Sequence, residues 1–337
     1  MPRAWYVRLE TIVRIVIAAA GASLALIARR RIGRVLGRAP GRAIPIVIAA
    51  LLALAASEFV LRHAHLRPTE WLLPEEEPRR VADPRLGWTL SPAWTGHSIV
   101  GGRTVEYAID PAGYRVRTLD EPVDSARPAL LFTGESIMFG EGLTWDETVP
   151  AQVGAMLGIQ SANLAVHGYS NDQAYLRLER ELPRFRQPVA VVTLFMTALF
   201  GRNLDDDRPH LGPGLAWLPA EYAWRLAALT ALVVPYRTDA TVEQGIHMTR
   251  EVLRATVELA RARGAQPLIV VPQIGPEAPS EQLLRRRIVD ESGVPYVLIE
   301  VDPDWHLPWD RHPDARGAHV IASAIAARLK RTAGLRH

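Results

Sequence analysis

Three residues near opposite ends of the chain have side chains that could share one piece of chemistry. Ser136 stands in Thr133-Gly134-Glu135-Ser136, a turn directly after the apolar run Ala129–Phe132. His312 and Asp310 stand in Trp309-Asp310-Arg311-His312-Pro313-Asp314, with His312 176 residues beyond the serine. A serine hydroxyl attacks a carbonyl carbon when a base takes its proton and a third group orients that base. Ser136, His312 and Asp310 supply one of each. Each also has a plainer reading: a turn serine capping backbone N–H groups, a solvated loop histidine, a surface aspartate.

Other chemistries find less support. The chain of 337 residues has no cysteine, which excludes thiol catalysis, disulfides and Cys-ligated zinc. It carries no HExxH, no P-loop and no GxGxxG following a strand. Asp205-Asp206-Asp207 is an acidic run, but three adjacent residues rarely all face one ion, so it reads as a solvated loop. No cofactor and no metal is called for.

The elements that must position the serine and the histidine follow from the pattern around them. Short apolar runs at Ala129–Phe132, Ala162–Val166, Val189–Phe195, Pro267–Val271 and Val294–Val301 alternate with helical patterns at Trp145–Leu157, Asp172–Phe185, Val242–Arg263, Glu277–Glu291 and Ala315–Lys330. Strand–helix alternation predicts βαβ units and a parallel sheet covered on both faces. The expected fold is α/β, a flavodoxin-like three-layer α/β/α domain over residues 128–332 with a five-stranded parallel sheet. The loops after its first and fifth strands share one sheet edge, so Ser136 and His312 can meet there. The long connection 201–241, with a helical pattern over Pro219–Val234, is a candidate lid or substrate wall.

Before the sheet come residues 83–127, read as a small β-rich lead-in packed on the main domain, with a hairpin around Gly101-Gly102 and a turn at Asp110–Arg115. Gly96-His97 reads as a polar turn. Residues 62–82, rich in Pro and charge, read as a linker.

The first 61 residues are different again. Ile12–Ala28 and Ala43–Leu61 are apolar runs of 17 and 19 residues, about 26 and 28 Å as helices, against a bilayer core of about 30 Å. The loop between them holds six arginines, a positive-inside signal that puts it in the cytoplasm. A membrane anchor is expected, as a transmembrane hairpin of helices 12–28 and 43–61. In the other version only the second run spans and the first lies in the interface. Both place the C-terminal domain on the extracytoplasmic side of a plasma or inner membrane. Residues 1–67 hold eleven Arg against two Glu, a net of +9; with +3 for the whole chain, the remainder nets −6. The basic pI therefore belongs to the anchor, and no nucleic-acid partner is implied.

Taken together, four blocks resemble the SGNH hydrolases, the GDSL-type esterase and lipase superfamily, and within it a membrane-anchored bacterial subgroup. They are Leu86-Gly87-Trp88 with Ala112–Arg115; Gly134-Glu135-Ser136 with Phe139–Gly142; Asn163–Ser170 with Gln173; and Asp310–Pro313 with Gly317. The resemblance implies Ser136 as nucleophile, His312 as base and Asp310 as its orienting acid. It also implies Ser136 N–H and Gly168 N–H as oxyanion donors. Two positions depart from the family pattern: Glu135 replaces an Asp, and Thr197 falls where an oxyanion Asn is expected, with Asn203 a nearby substitute. The expected activity is hydrolysis of O-acyl or acetyl esters on an envelope lipid or glycan. An O-acyltransferase with the same triad, or a degenerate binding domain, are the alternatives.

Overall fold

The computed structural model describes residues 3–39, 41, 43–63, 78–100, 102–205, 208–220, 224–227, 229, 239–308 and 312–332. The chain divides into two compact units, Met1–Trp71 with Tyr222–Arg237, and Leu72–Glu221 with Thr238–His337.

In the first unit, α1 (Arg3–Arg38) is one helix of 36 residues and α2 (Ala43–His63) a helix of 21. The expected hairpin of spans 12–28 and 43–61 is corrected here. Among the described residues one helix, Ala43–His63, is long and apolar enough to cross a membrane. The basic stretch is not a loop either, since it continues α1 as far as Arg38. Arginine is a good helix former, and no proline occurs between Pro2 and Pro40.

The second unit holds twelve strands among its described residues. β1 (Arg80–Asp83) and β2 (Gly87–Leu90) form a hairpin of their own. β3 (Trp94–Val100), β4 (Arg103–Ile109) and β5 (Arg115–Val116) are joined antiparallel. Gly96 and His97 lie within β3, not in a turn. β6 (Pro128–Thr133), β7 (Gln160–Asn163), β8 (Gln187–Leu194), β11 (Gln266–Ile274) and β12 (Tyr296–Val301) pair in parallel.

The main sheet runs β12-β11-β8-β6-β7-β5-β4-β3. The expected five-stranded parallel sheet is therefore an eight-stranded mixed one. Strands β3–β5 of the lead-in extend the sheet, through a bridge of one residue pair, Arg115 to Asn163, while β1 and β2 bury Trp88 and Leu90 in the main core. Nothing in the local pattern of a two-residue strand announces so distant a pairing.

Helices cover both faces. They are α4 (Val149–Leu157) and α8 (Ala315–Thr332) on one, and α5 (Asn171–Glu181), α6 (Asp239–Ala262) and α7 (Pro279–Ile288) on the other. The two-residue period of β6 shows this directly. Leu130 and Phe132 join Val153 and Ile321 in one cluster, while Ala129 and Leu131 join Leu178 and Leu182 in another.

The 201–241 connection has regular structure in its first part. It starts in a 3-10 run, Thr197–Leu204, and continues into a hairpin of β9 (His210–Gly212) and β10 (Ala216–Leu218). Asp172 on α5 accepts from Leu211 N–H at 2.9 Å, which fixes that hairpin to the domain. Asp205 pairs with Arg208 at 3.2 Å; Asp206 and Asp207 lie outside the described residues. So does most of the expected helix 219–234, of which Arg225–Ala227 and Leu229 are helical.

Candidate active site

Ser136 opens α3 (Ser136–Phe139), a four-residue helix entered straight from β6. The chain reverses at Gly134, whose φ is +145°, and a Cβ there would meet Leu194 Cβ at 2.8 Å. Only glycine suits that approach. Glu135 caps the helix, its carboxylate accepting from Ile137 N–H at 3.3 Å, and it also accepts a hydrogen bond from Ser136 Oγ. The serine itself is buried.

His312 arrives from the loop after β12. A bridge of His306 to Pro313, with Leu307 N–H on His312 O at 2.8 Å and Asp314 N–H on Trp305 O at 3.1 Å, closes that loop into a tight strap. Asp314 then caps α8 by accepting from Arg316 and Gly317 N–H. The result places His312 Nε2 2.7 Å from Ser136 Oγ. The hydroxyl has one proton and two acceptors, Glu135 Oε2 and His312 Nε2. Handing the proton to the imidazole requires a turn of the hydroxyl, not a movement of the ring. Glu141 Oε2 lies 3.8 Å from the same Nε2. Asp310, the expected orienting acid, lies outside the described residues.

Gly168 stands after β7 with φ +81°. A Cβ would meet the Trp88 ring at 3.2 Å, so the glycine is needed for this close packing. Trp88 Nε1 donates to His167 O at 3.3 Å, Tyr169 Oη to Trp88 O at 2.6 Å, and Arg208 to Gly168 O at 2.7 Å. Gln173, in a capping box with Ser170, donates to Leu86 O at 2.6 Å. The residues of the lead-in therefore brace the loop that carries Gly168. Neither Ser136 N–H nor Gly168 N–H is spent on a hydrogen bond among the described residues.

Thr197 is half-buried at the first position of the 3-10 run that follows β8. Asn203 does not replace it. Its amide donates to Asn171 Oδ1 at 3.1 Å and Thr249 Oγ1 at 3.0 Å, and its oxygen accepts from Asn171 N–H at 2.9 Å. That carboxamide is consumed in tying the 3-10 run to α5 and α6.

Two arginines near the serine lie outside the expected triad and oxyanion residues. Arg115, fully buried, donates to the carbonyls of Phe139, Gly140 and Leu143 at 2.5–2.8 Å. It also lies over the Tyr107 and Phe139 rings at 4.6 and 4.8 Å. Burial brings its pKa down to about 10, which leaves it charged at neutral pH. Arg202 reaches Glu135 Oε2 at 3.6 Å and Tyr169 O at 3.4 Å, joining the serine loop to the glycine loop. In a chain with 39 basic residues, Lys330 its one lysine, single arginines do not stand out.

No family model matches the chain, and no curated protein does. Among solved structures it is similar to a lipolytic protein of the G-D-S-L family from Desulfitobacterium hafniense, with 14% identity over 60% of this chain and 98% of that one, TM-score 0.36. It is similar to an acetyl xylan esterase from the rumen bacterium Butyrivibrio proteoclasticus, with 11% identity over 64% of this chain and 66% of that one, TM-score 0.39. A salicylyl-acyltransferase from a tetracycline biosynthetic pathway shares 16% identity over 63% of this chain and 57% of its own, TM-score 0.34. At such distances the functional argument rests on the residues of this chain.

Electrostatically the site is poised for a neutral imidazole beside a second one. Burial, then the charges of Arg80, His312 and Arg202, push the His167 pKa down to about 3. His167 therefore stays neutral next to Gly168, packed edge-on against Phe139 at 5.5 Å. A buried hydroxyl, an imidazole at hydrogen-bond distance and two unspent N–H groups can together support acyl transfer through a serine.

Proposed function

We propose that the chain is a membrane-anchored serine hydrolase cleaving O-acyl or acetyl esters borne by an envelope lipid or glycan. The observation that carries this reading is the 2.7 Å separation of Ser136 Oγ and His312 Nε2 across one edge of the sheet. In the proposed reaction, His312 Nε2 takes the hydroxyl proton as Oγ attacks the ester carbonyl. The developing oxyanion binds the N–H groups of Ser136 and Gly168, with Thr197 Oγ1 as a third donor. Imidazolium then protonates the departing alkoxide. Water, deprotonated by His312, attacks the acyl-serine and restores the enzyme. Asp310 is assigned the orienting role from its place two residues before His312.

The anchor reading is supported by α2, with mean hydropathy 2.4 over its apolar window. The basic stretch that precedes it favours an extracytoplasmic second unit.

The test is covalent labelling of the full chain in detergent with a fluorophosphonate. The adduct is expected on the peptide containing Ser136, and Ser136→Ala is expected to abolish both the adduct and ester cleavage, a loss of at least ~10³-fold. A folded sample that stays unlabelled overturns the reading. An O-acyltransferase forms the same acyl-serine. It is distinguished by transfer to an added alcohol or sugar outrunning hydrolysis.

A further inference from the structure

Helix α2 inverts the usual arrangement of a helix in water. Its apolar residues are outward-facing on every side: Ile44, Val47, Leu51, Leu52, Phe59 and Val60 are each at least 56% exposed. Its one buried residue is a carboxylate, Glu58, at 7%. What covers Glu58 is a stretch of chain 167 residues away. The N–H of Arg225 donates to Glu58 Oε1 at 2.9 Å and that of Leu226 to Oε2 at 3.1 Å. Arg62 adds a guanidinium contact at 3.2 Å.

The position of Glu58 along α2 gives this contact a meaning. It lies five residues before the helix end at His63, roughly 8 Å at 1.5 Å per residue. If α2 spans, Glu58 sits near the outer boundary of the hydrocarbon. A bare carboxylate is costly at that depth, and backbone N–H groups there need acceptors. Each satisfies the other. The segment that supplies the N–H groups has the composition for this place. Leu226-Ala227-Ala228-Leu229-Thr230-Ala231-Leu232-Val233-Val234 is apolar apart from Thr230. Trp224 at its head is 61% exposed and Ala227 is exposed. A tryptophan and an arginine at the start of an apolar run suit the headgroup level.

We propose that Trp224–Ala227, with Leu229, form a second membrane-contacting element, an arm embedded in the outer leaflet beside α2 and held there by Glu58. Its partner is the lipid bilayer. The inference rests on the anchor reading of α2 given above.

The absence of native cysteine makes the test clean. Single cysteines at Ala227 and, separately, at Leu52 in α2 are labelled with bimane in the full chain and reconstituted into phosphatidylcholine vesicles. Quenching is compared between a nitroxide near the headgroup end of the acyl chains and aqueous iodide. Lipid quenching at both positions, with iodide ineffective, is expected. Lipid quenching at Leu52 with iodide quenching at Ala227 overturns the arm and leaves the anchor standing; iodide quenching at both overturns anchor and arm together. Glu58→Ala is expected to lose the lipid quenching at Ala227 while Leu52 is unchanged. Glu58→Gln, whose amide oxygen still accepts N–H bonds, is expected to keep it. Retention of lipid quenching in Glu58→Ala overturns the role given to Glu58.

Discussion

At residue scale the oxyanion donors decide how fast a serine site can work. Thr197 stands at the turn after β8, where a hydroxyl can donate one hydrogen bond from a shorter reach than a carboxamide. Thr197→Val keeps the shape and removes the donor. The expected result is a fall in kcat of about 10²-fold with KM little changed, because a donor to the tetrahedral oxygen acts in the transition state alone. An unchanged kcat removes Thr197 from the site. His167 gives a prediction of another kind. Its folded pKa is about 3 against an ordinary 6.5, so between those values the unfolded chain holds the extra proton. The stability it permits is complete above pH 6.5 and is lost as pH falls, by about 1.4 kcal/mol per pH unit. His167→Asn should therefore lose less stability than the parent between pH 7 and 5, by about 2 kcal/mol, read from thermal midpoints across pH. Asp172 acts with the opposite sign, since burial raises its pKa to about 6 from 3.8. The comparison of variant with parent isolates His167 from it.

At the scale of elements the short helix α3 is the problem to solve. Four residues cannot hold themselves in a helix, and the last carbonyls of such a turn need donors. Arg115, from the strand that joins the lead-in to the sheet, supplies Phe139 O and the two carbonyls after the helix, Gly140 O and Leu143 O, and Asn163 Nδ2 supplies Met138 O and Phe139 O. Arg115→Met removes one donor from each of three carbonyls, of which Phe139 O keeps Asn163 Nδ2 and Gly140 O keeps Leu143 N–H, and is expected to cost about 3 kcal/mol. Thermal unfolding in detergent, together with the rate of fluorophosphonate labelling at Ser136, checks this. An unchanged midpoint and rate would show that α3 is held by other contacts. The same residue shows where the sequence was hard to interpret. Apolar runs such as Ala129–Phe132 announce buried strands because their length and flanking turns are local signals. Ser136 and His312 are visible because a parallel sheet brings its strand-end loops to one edge. Arg115–Val116 is too short for any period, and its one-pair bridge to Asn163 is set by packing across the molecule. Arg202 and Arg208 were hidden by composition, and Asn203 offered a donor that the fold had already spent.

For the whole molecule, the question is which side of a membrane the site faces. α2 is the described helix fit to span, and α1 is a single long helix whose arginines continue from Arg29 to Arg38. Arginines beside a span stay on the cytoplasmic side, because carrying them across hydrocarbon costs several kcal/mol in all. On the anchor reading proposed above, the second unit, which follows the other end of α2, is expected outside. With no native cysteine in the chain, two single substitutions report this. Arg34→Cys marks the basic stretch, and Asp120→Cys marks an exposed turn of the second unit. In intact spheroplasts, an impermeant maleimide is expected to label Asp120→Cys at once and Arg34→Cys only after lysis. The reverse pattern would place the serine site in the cytoplasm and exclude envelope esters as its substrates. Labelling of both without lysis would mean that α2 does not span and that the chain is held at the surface by other means.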